Sequence, residues 1–503
     1  MGGVFGFHLI IPEIFFLISY LVLFILVFFT PLGIRLRVTS STGYNYTSEL
    51  RTPKLFRPAF ALSLLILVIY AVLKLHTPID KTEFIFFDTF RLSLGVVYFQ
   101  GVIILFSIFI AFVLQSCNVK LPLEFWLVYL LFVFSCTVFP SVCEFIGVYL
   151  LFELQSFCSY VLAALNRDKP LSVEAALKYF VLGAFISGFL LFGISLLYLA
   201  FGTTKIFDII LLSYGLEPTL FVILGLVFLV GALLFKLAAF PFHMWAVDVY
   251  AGVTLSVLLV LTILPKLSIW GFFVFQLYHM LGISSFFDYT GLPLAFFGIS
   301  GVIFGSLGAV FQQDFKKFIA YSGISNMGYV VLIFSTGLAS SLFVILYYVL
   351  VYSFLLLSLF SLVYVVYAAS EKQVMYLSIP NALALLFRTH KVYGLLFSLL
   401  LFSMAGVPPL MGFFPKFYVI SGLWESGNSV FAILTALVSI LSAAYYSVLF
   451  VRLYFVKDPL PSFIVKDSPA LTLFVTCALV NLFYITFQDF VVLFVWFLTC
   501  FIL

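Results

Sequence analysis

Apolar runs long enough to cross a bilayer recur along almost the whole chain, and they constrain its fold more than any other feature. A helix needs about 20 apolar residues to span the hydrocarbon core. Only 9% of the 503 residues are charged, whereas soluble domains carry roughly 25%. Because no soluble interior can hide so much apolar surface, the sequence predicts an all-α polytopic membrane protein.

Fourteen apolar runs of helical length can be counted, and only two of the loops between them are long. The long loops cover residues 31–57 and 371–390. The predicted helices lie near residues 9–30, 58–76, 92–115, 121–139, 141–165, 173–200, 217–245, 250–279, 292–312, 317–336, 339–368, 391–424, 427–455 and 469–500.

Lysine and arginine are distributed unevenly over these loops. Seventeen of the 24 basic residues lie in or beside the odd-numbered loops, and only four lie in the even-numbered loops. Because basic loops stay on the inner side of a membrane, we expect both termini on the outer side. A helix missed in the count would destroy this asymmetry, so the charges also favour fourteen helices.

Three lysines remain deep inside the predicted helices: Lys236, Lys266 and Lys416. A charged side chain at the centre of a membrane helix costs about 2.5–3.5 kcal/mol on insertion scales. A buried lysine can release its proton, whereas an arginine cannot. With Glu153 in the middle of the fifth helix, these residues favour a proton pathway. The alternative is a permanent Glu153–Lys236 ion pair that pins two helices together.

The seventh and twelfth predicted helices share a pattern in which a deep lysine lies close to proline. Lys236 precedes Pro241, and Lys416 follows a stretch that contains Pro408, Pro409 and Pro415. Proline-interrupted helices at matching positions of two halves indicate inverted repeats with an ion site near the midplane. The alternative is a pair of simple packing kinks.

Several polar residues are weaker candidates for the same pathway. His243 and Asp248 are expected to take up protons beside the first break, or else to make a hydrogen bond at a loop end. Lys178 is expected at the inner mouth, or else as an inner-side anchor. Tyr321, Ser322 and Ser325 are expected to line a hydrated path in the second half.

Other classes of site lack support in the sequence. The six cysteines include no C-x-x-C pair, so neither an iron–sulfur cluster nor a zinc site is expected. There is no P-loop and no dinucleotide fingerprint. The net charge of +4 is too small to suggest nucleic acid as a partner.

Five stretches resemble subunit 2 (chain N) of NADH:quinone oxidoreductase, the proton-pumping respiratory complex I. These stretches are ELQSFCSYVLAAL (153–165), EAALKYFVLGAFISGFLLFGISLLYLAFGTT (174–204), FKLAAFPFHMWAVDVYAG (235–252), DFKKFIAYSGISNMGY (314–329) and GVPPLMGFFPKFYV (406–419). The second stretch separates this family from its antiporter-like siblings. The resemblance spans residues 150 to 455, whereas the first 120 residues match only in hydropathy.

The resemblance implies fourteen helices with two inverted five-helix repeats, helices 4–8 and 9–13. The chain is then divided into an N-terminal three-helix segment with the basic inner loop 31–57 (1–120), a first repeat (121–280), a second repeat (281–455) and a C-terminal helix 14 (456–503).

The resemblance also implies roles for single residues. Glu153 corresponds to the family's helix-5 glutamate, Lys236 to the helix-7 lysine that pairs with it, Lys266 to the linking helix-8 lysine and Lys416 to the helix-12 lysine. We expect Glu153 and Lys236 to act as a modulating pair, Lys266 to pass the proton across and Lys416 to exchange it with the outer side. Asn326 stands where the family usually has histidine, so a histidine relay at that position is in doubt. Glu144 stands where a smaller residue is common, and no role is assigned to it.

As a member of such a complex, the chain is expected to act within a proton-translocating NADH:ubiquinone reductase. Its partners would be the neighbouring antiporter-like and small membrane subunits, and lipids such as cardiolipin. FMN, iron–sulfur clusters and ubiquinone would be bound by partner subunits. The expected location is the mitochondrial inner membrane, with both termini on the intermembrane-space side, or a bacterial plasma membrane.

Three other interpretations stay open from the sequence alone. In the first, the chain is a free-standing cation/proton antiporter subunit. In the second, it is a structural subunit that only bridges its neighbours, and in the third it is a plastid relative that works with plastoquinone.

Overall fold

The fold is taken from a computed structural model, which describes residues 7–29, 53–77, 82–86, 88–116, 121–213, 219–283, 286–372, 383–384, 390–455 and 468–500. Most of the predicted basic loop 31–57 and of the loop 371–390 lies outside these residues. Within them the chain is mostly helical, as its apolar runs predict.

The helices occur in the following order along the chain. They are α1 (Phe7–Phe29), α2 (Pro53–Leu75), α3 (Leu94–Ser116), α4 (Leu123–Val138), α5 (Phe145–Ala164), α6 (Pro170–Phe201), α7 (Ile206–Ser213), α8 (Leu220–Lys236), α9 (Met244–Gly252), α10 (Leu255–Phe272), α11 (Tyr278–Ile283), α12 (Phe286–Phe311), α13 (Phe315–Phe334), α14 (Ala339–Lys372), α15 (Lys391–Ala405), α16 (Phe413–Glu425), α17 (Ser429–Tyr454), α18 (Pro469–Leu482) and α19 (Tyr484–Cys500).

Nine helices in the described part of the chain are long and apolar enough to cross a membrane, and α18 with α19 would make a tenth, bent span. Four shorter apolar helices lie within α1, α2, α8 and α15. The helix α10 lies at the centre of the bundle, because each of its residues is buried. Its burial on all sides places Lys266 in the interior.

Two helices are interrupted where the sequence predicts breaks. The first interruption separates α8 from α9, and Ala238 within it has a left-handed backbone with a φ of 56°. Non-glycine residues rarely adopt this conformation, which occurs mostly where the surrounding structure enforces it at functional sites. The second interruption separates α15 from α16 and begins at Gly406, whose φ is 91°.

The structure corrects the predicted architecture in three places. A small antiparallel hairpin, β1 (Glu83–Ile85) and β2 (Phe90–Leu92), interrupts the all-α pattern. The seventh helix extends through α9 to Gly252, so the eighth begins at Leu255 and not near residue 250. The predicted single helix 469–500 is two helices that meet at 90°.

The hairpin and the bend could not be predicted because each depends on contacts with distant residues. Phe90 forms a β-bridge with Val142, which docks the hairpin on the start of α5. The bend at Phe483 has neither proline nor glycine next to it. Its geometry is supported by a hydrogen bond of 2.5 Å between the hydroxyls of Tyr347 and Tyr484.

Candidate functional site

Lys236 is the last residue of α8 and points into the protein at the first helix break. Its side chain is 5% exposed. The ammonium lies 4.9 Å from the ring centre of Phe152 and 5.9 Å from that of Tyr179. Aromatic faces attract a cation but accept no proton, so these contacts hold the amine without fixing its protonation state.

Glu153 lies half-buried on α5, next to Phe152. Its carboxylate is close enough for a Coulombic interaction with the Lys236 ammonium. Among the described residues, however, the ion pairs within 4.0 Å do not include one between Glu153 and Lys236. The conformation seen here therefore lacks the permanent pair that the sequence left open as an alternative.

Lys266 lies in the middle of α10 and faces the second half of the chain. Its ammonium is 5.3 Å from the ring centre of Tyr352 on α14. It also lies against Gly323 on α13, where an added Cβ atom would be only 3.1 Å from Nζ. Glycine is thus the residue that leaves room for the amine. Within the described chain, Lys266 makes neither an ion pair nor a direct hydrogen bond, which is a costly state for a buried charge.

Lys416 lies on α16, directly after the second break, and uses the backbone that the break sets free. Its Nζ donates hydrogen bonds to the carbonyl of Ala405 (2.8 Å), to Ser442 Oγ (2.6 Å) and, at 3.4 Å, to the carbonyl of Met404. All three acceptors are neutral. The amine is therefore solvated by the protein without a compensating carboxylate.

A small cavity lies next to Lys416 and next to Tyr352, the residue that contacts Lys266. Its volume is about 20 Å³, and its polar lining comprises Lys416, Asn326, Tyr348 and Tyr352. A cavity of this volume has room for about one water molecule, for which these four side chains offer polar partners. Tyr352 also contacts Lys266, so this one side chain lies next to both the cavity and the Lys266 amine.

Asn326 is fixed at this cavity by two hydrogen bonds. Its Oδ1 accepts from the hydroxyl of Tyr348 at 2.8 Å, and its Nδ2 donates to the carbonyl of Ser322 at 2.8 Å. Both partners are neutral. An amide held in this way can orient a water molecule but cannot itself carry a proton as a histidine can.

The other predicted residues of α13, Tyr321, Ser322 and Ser325, do not line this cavity. Ser322 donates back to its own helix at Ile319, and Ser325 lies 3.3 Å from the hydroxyl of Tyr445. Tyr321 is half-buried.

The predicted proton-uptake group is divided between two places. His243 is buried at the first break and stacks on Phe240 at 5.3 Å. Asp248 is exposed on α9 and pairs with Lys178 at 3.2 Å, and Lys178 also pairs with Glu174 at 2.9 Å. His243 and Asp248 are not hydrogen-bonded to each other, so the structure groups Asp248 with Lys178.

Three further polar residues received no role in the sequence analysis. Lys74 was counted as a loop residue, but it is fully buried in an ion pair with Glu13. Glu144 accepts a hydrogen bond of 3.0 Å from Thr204. Asn481 is fully buried and accepts from Ser403 Oγ (2.8 Å) and from the amide of Met411 (3.2 Å), at the second break. Only the deep position of Asn481 in an apolar helix was a signal available in the sequence.

Comparison with known proteins gives a consistent family. Residues 143–442 match the family described as NADH:quinone oxidoreductase/Mrp antiporter, TM. The NADH-ubiquinone oxidoreductase chain 2 of Marchantia polymorpha is 37% identical over 63% of this chain and 64% of its own length. The NADH-quinone oxidoreductase subunit N of Rhodospirillum rubrum is 35% identical over 68% of this chain and 69% of its own. The chain thus spans about two thirds of the curated relatives it matches.

Two solved structures share the fold over nearly the whole chain. A chain of respiratory complex I from Thermus thermophilus superposes with a TM-score of 0.74 at 23% identity, covering 96% of this chain and 98% of that one. A chain of the Mrp complex from Dietzia sp. superposes with a TM-score of 0.72 at 18% identity, covering 96% of both.

Proposed function

Because this chain belongs to the family of NADH:quinone oxidoreductase and Mrp antiporter membrane subunits, and within it to the subunit N (chain 2) group, we propose that it translocates protons as the antiporter-like subunit of a complex I. The observation that carries this proposal is the state of the three membrane lysines. Lys236, Lys266 and Lys416 are all buried, and none of them has a carboxylate within ion-pair distance in the described chain. Groups kept in this costly state are functional by default.

The proposed pathway runs from Lys236 through Lys266 to Lys416. The charge of Glu153 holds a proton on Lys236, and a change in their separation releases it towards Lys266. From Lys266 the proton passes the hydroxyl of Tyr352 and a water in the cavity, and reaches Lys416. The acceptors of Lys416 are two carbonyls and a hydroxyl, which hold an ammonium without trapping it as a carboxylate would.

The remaining candidates have lesser roles in this proposal. Lys178 with Asp248 forms the inner mouth, and His243 lies beside the break that the proton passes. Asn326 orients the cavity water in place of a histidine. Tyr321, Ser322 and Ser325 pack around it.

The finer architecture is also a proposal. We infer that the four shorter apolar helices cross the membrane together with the longer ones, giving fourteen spans, with α8–α9 and α15–α16 each counted as one broken span. The inverted repeats would comprise residues 121–280 and 281–455, between the N-terminal segment 1–120 and the C-terminal segment 456–503. Both termini would lie on the outer side.

The energy for translocation must come from partners, because the sequence offers no site for a redox centre. We propose that NADH-to-quinone electron transfer in partner subunits, which would bind FMN, iron–sulfur clusters and ubiquinone, drives this chain through conformational or electrostatic coupling. Neighbouring membrane subunits and lipids such as cardiolipin would contact it in the mitochondrial inner membrane, or in a bacterial plasma membrane.

The test is a Lys416→Met variant in the assembled complex. The variant should assemble and oxidise NADH but translocate fewer protons per quinone reduced, measured in proteoliposomes with a pH-sensitive dye. Lys391→Met is the matched control, because Lys391 is an exposed lysine at the start of α15. Equal proton yields in wild type, control and Lys416→Met would refute the pathway and favour a purely structural subunit.

A free-standing antiporter is a second candidate, favoured by the likeness to the Mrp complex. Purification separates the two candidates. An assembly with flavin and iron–sulfur absorbance supports the oxidoreductase, and a module without them supports the antiporter.

A further inference from the structure

Lys316 joins the second half of the chain to the first at the inner ends of their helices. It is the second residue of α13, and sequence reasoning counted it only among the basic residues of an inner loop. Its Nζ donates hydrogen bonds to the carbonyls of Val253 (2.5 Å) and Ala251 (3.5 Å). These carbonyls belong to the short connection that ends α9 and begins α10.

The carbonyls at this connection need an external donor. The last carbonyls of an α-helix have no partner within the helix, and the helix dipole makes this end negative. A half-buried ammonium from another helix supplies both the hydrogen-bond donor that these carbonyls lack and a positive charge at the negative helix end. Lys317, the next residue, faces elsewhere: its side chain is 38% exposed and pairs with Asp314 on its own helix at 3.7 Å.

The same face of α13 also contacts the ammonium of Lys266. Gly323 follows Lys316 by seven residues, which is about two helical turns, so both lie on one face. Lys266 Nζ packs on Gly323, as the 3.1 Å separation from an added Cβ shows. The face of α13 therefore touches the α9–α10 segment at two levels, through Lys316 at the inner end and through Gly323 beside the amine of Lys266.

We propose that Lys316 is a positioning residue, whose ammonium clamps α13 to the α9–α10 connection and so holds Gly323 and the cavity in register with Lys266. This inference rests on the proposed pathway. Without the clamp, α13 is free to shift against α10, and the gap between Lys266 and the cavity changes. Lys316 itself stays protonated in this arrangement and does not relay protons along the pathway.

The experiment compares Lys316→Met, Lys316→Arg, Lys317→Met and Lys266→Met in the assembled complex. Lys316→Met should translocate protons roughly tenfold more slowly at unchanged KM for quinone, because it removes both hydrogen bonds that hold α13 to the α9–α10 connection. Lys316→Arg should restore most of the rate, because a guanidinium keeps both the charge and the donors. Lys317→Met should resemble wild type.

The outcomes separate the clamp from its alternatives. If Lys316→Arg is as slow as Lys316→Met, a titrating lysine is needed, and the positioning role is overturned. If Lys317→Met is equally slow, the effect is one of surface charge, and the clamp is again overturned. Wild-type pumping by Lys316→Met with defective Lys266→Met overturns the clamp alone. Wild-type pumping by Lys266→Met overturns the proposed pathway itself. Lys316→Gln, which keeps one donor, replaces Lys316→Met if that variant does not assemble.

Discussion

Replacing Gly323 by alanine should lower proton translocation while the free energy of unfolding changes by at most about 1 kcal/mol. The added methyl carbon would lie 3.1 Å from Lys266 Nζ and 3.3 Å from the hydroxyl oxygen of Tyr352. Unstrained contacts need about 3.5 Å, so the amine must move by about 0.4 Å or more. Because the added carbon crowds both the ammonium and the Tyr352 hydroxyl, their present contact cannot stay as it is.

The two effects have different sizes and different origins. Alanine in a helix is favoured over glycine by about 0.8–1.0 kcal/mol, which stabilises α13. Displacing the ammonium from the ring loses part or all of the cation–π interaction energy, which is about 0.5–2 kcal/mol. If that contact holds the proton in transit, the loss corresponds to roughly a 2- to 30-fold lower rate of transfer.

The assay measures thermal unfolding and proton translocation on the same reconstituted complex. Gly188→Ala on α6 is the matched control, because a Cβ atom there meets nothing within 4 Å. The control should gain stability and pump as wild type does. Gly323→Ala that pumps like the control would show that the contact between Lys266 and Tyr352 plays no part in transfer. A parallel fall in stability and pumping would instead identify a packing defect.

Two further predictions concern the second break and the buried thiol of Cys143. Asn481→Leu should lower the free energy of unfolding by about 2–3 kcal/mol, because the Ser403 hydroxyl and the Met411 amide lose their acceptor; calorimetry against Thr476→Val, an exposed threonine on the same helix, checks this. Burial raises the pKa of the Cys143 thiol to about 12, so this thiol stays protonated and should resist alkylation at pH 8 in the native protein. The exposed thiol of Cys500 should react under the same conditions. Equal labelling of the two cysteines by mass spectrometry would contradict this prediction.

The deep lysines were predictable because their position depends on local sequence. Each lies within an apolar run, and a run of that length has one place in a bilayer. The breaks were predictable for the same reason, since proline removes a backbone donor wherever the rest of the fold lies.

What escaped prediction depends on pairs that are far apart in the chain. Lys74 is buried because Glu13, on a different helix, neutralises it. The role of Asn326 at the cavity depends on Tyr348, and the space beside Lys266 depends on Gly323. The bend at Phe483 follows from tertiary contacts, because the residues beside it would continue a straight helix.

The small volume of the cavity between Tyr352 and Lys416 limits how protons would be transferred through it. After a single water has passed a proton towards one neighbour, its remaining hydrogens point back towards the donor. The water must rotate before it can accept another proton from that donor. On the proposed pathway, proton transfer through this cavity would therefore be stepwise, because the water must rotate back after every transfer. A water left in that orientation would return the proton more readily than it would accept the next one, so the direction of transfer must be set by the two amines on either side of it.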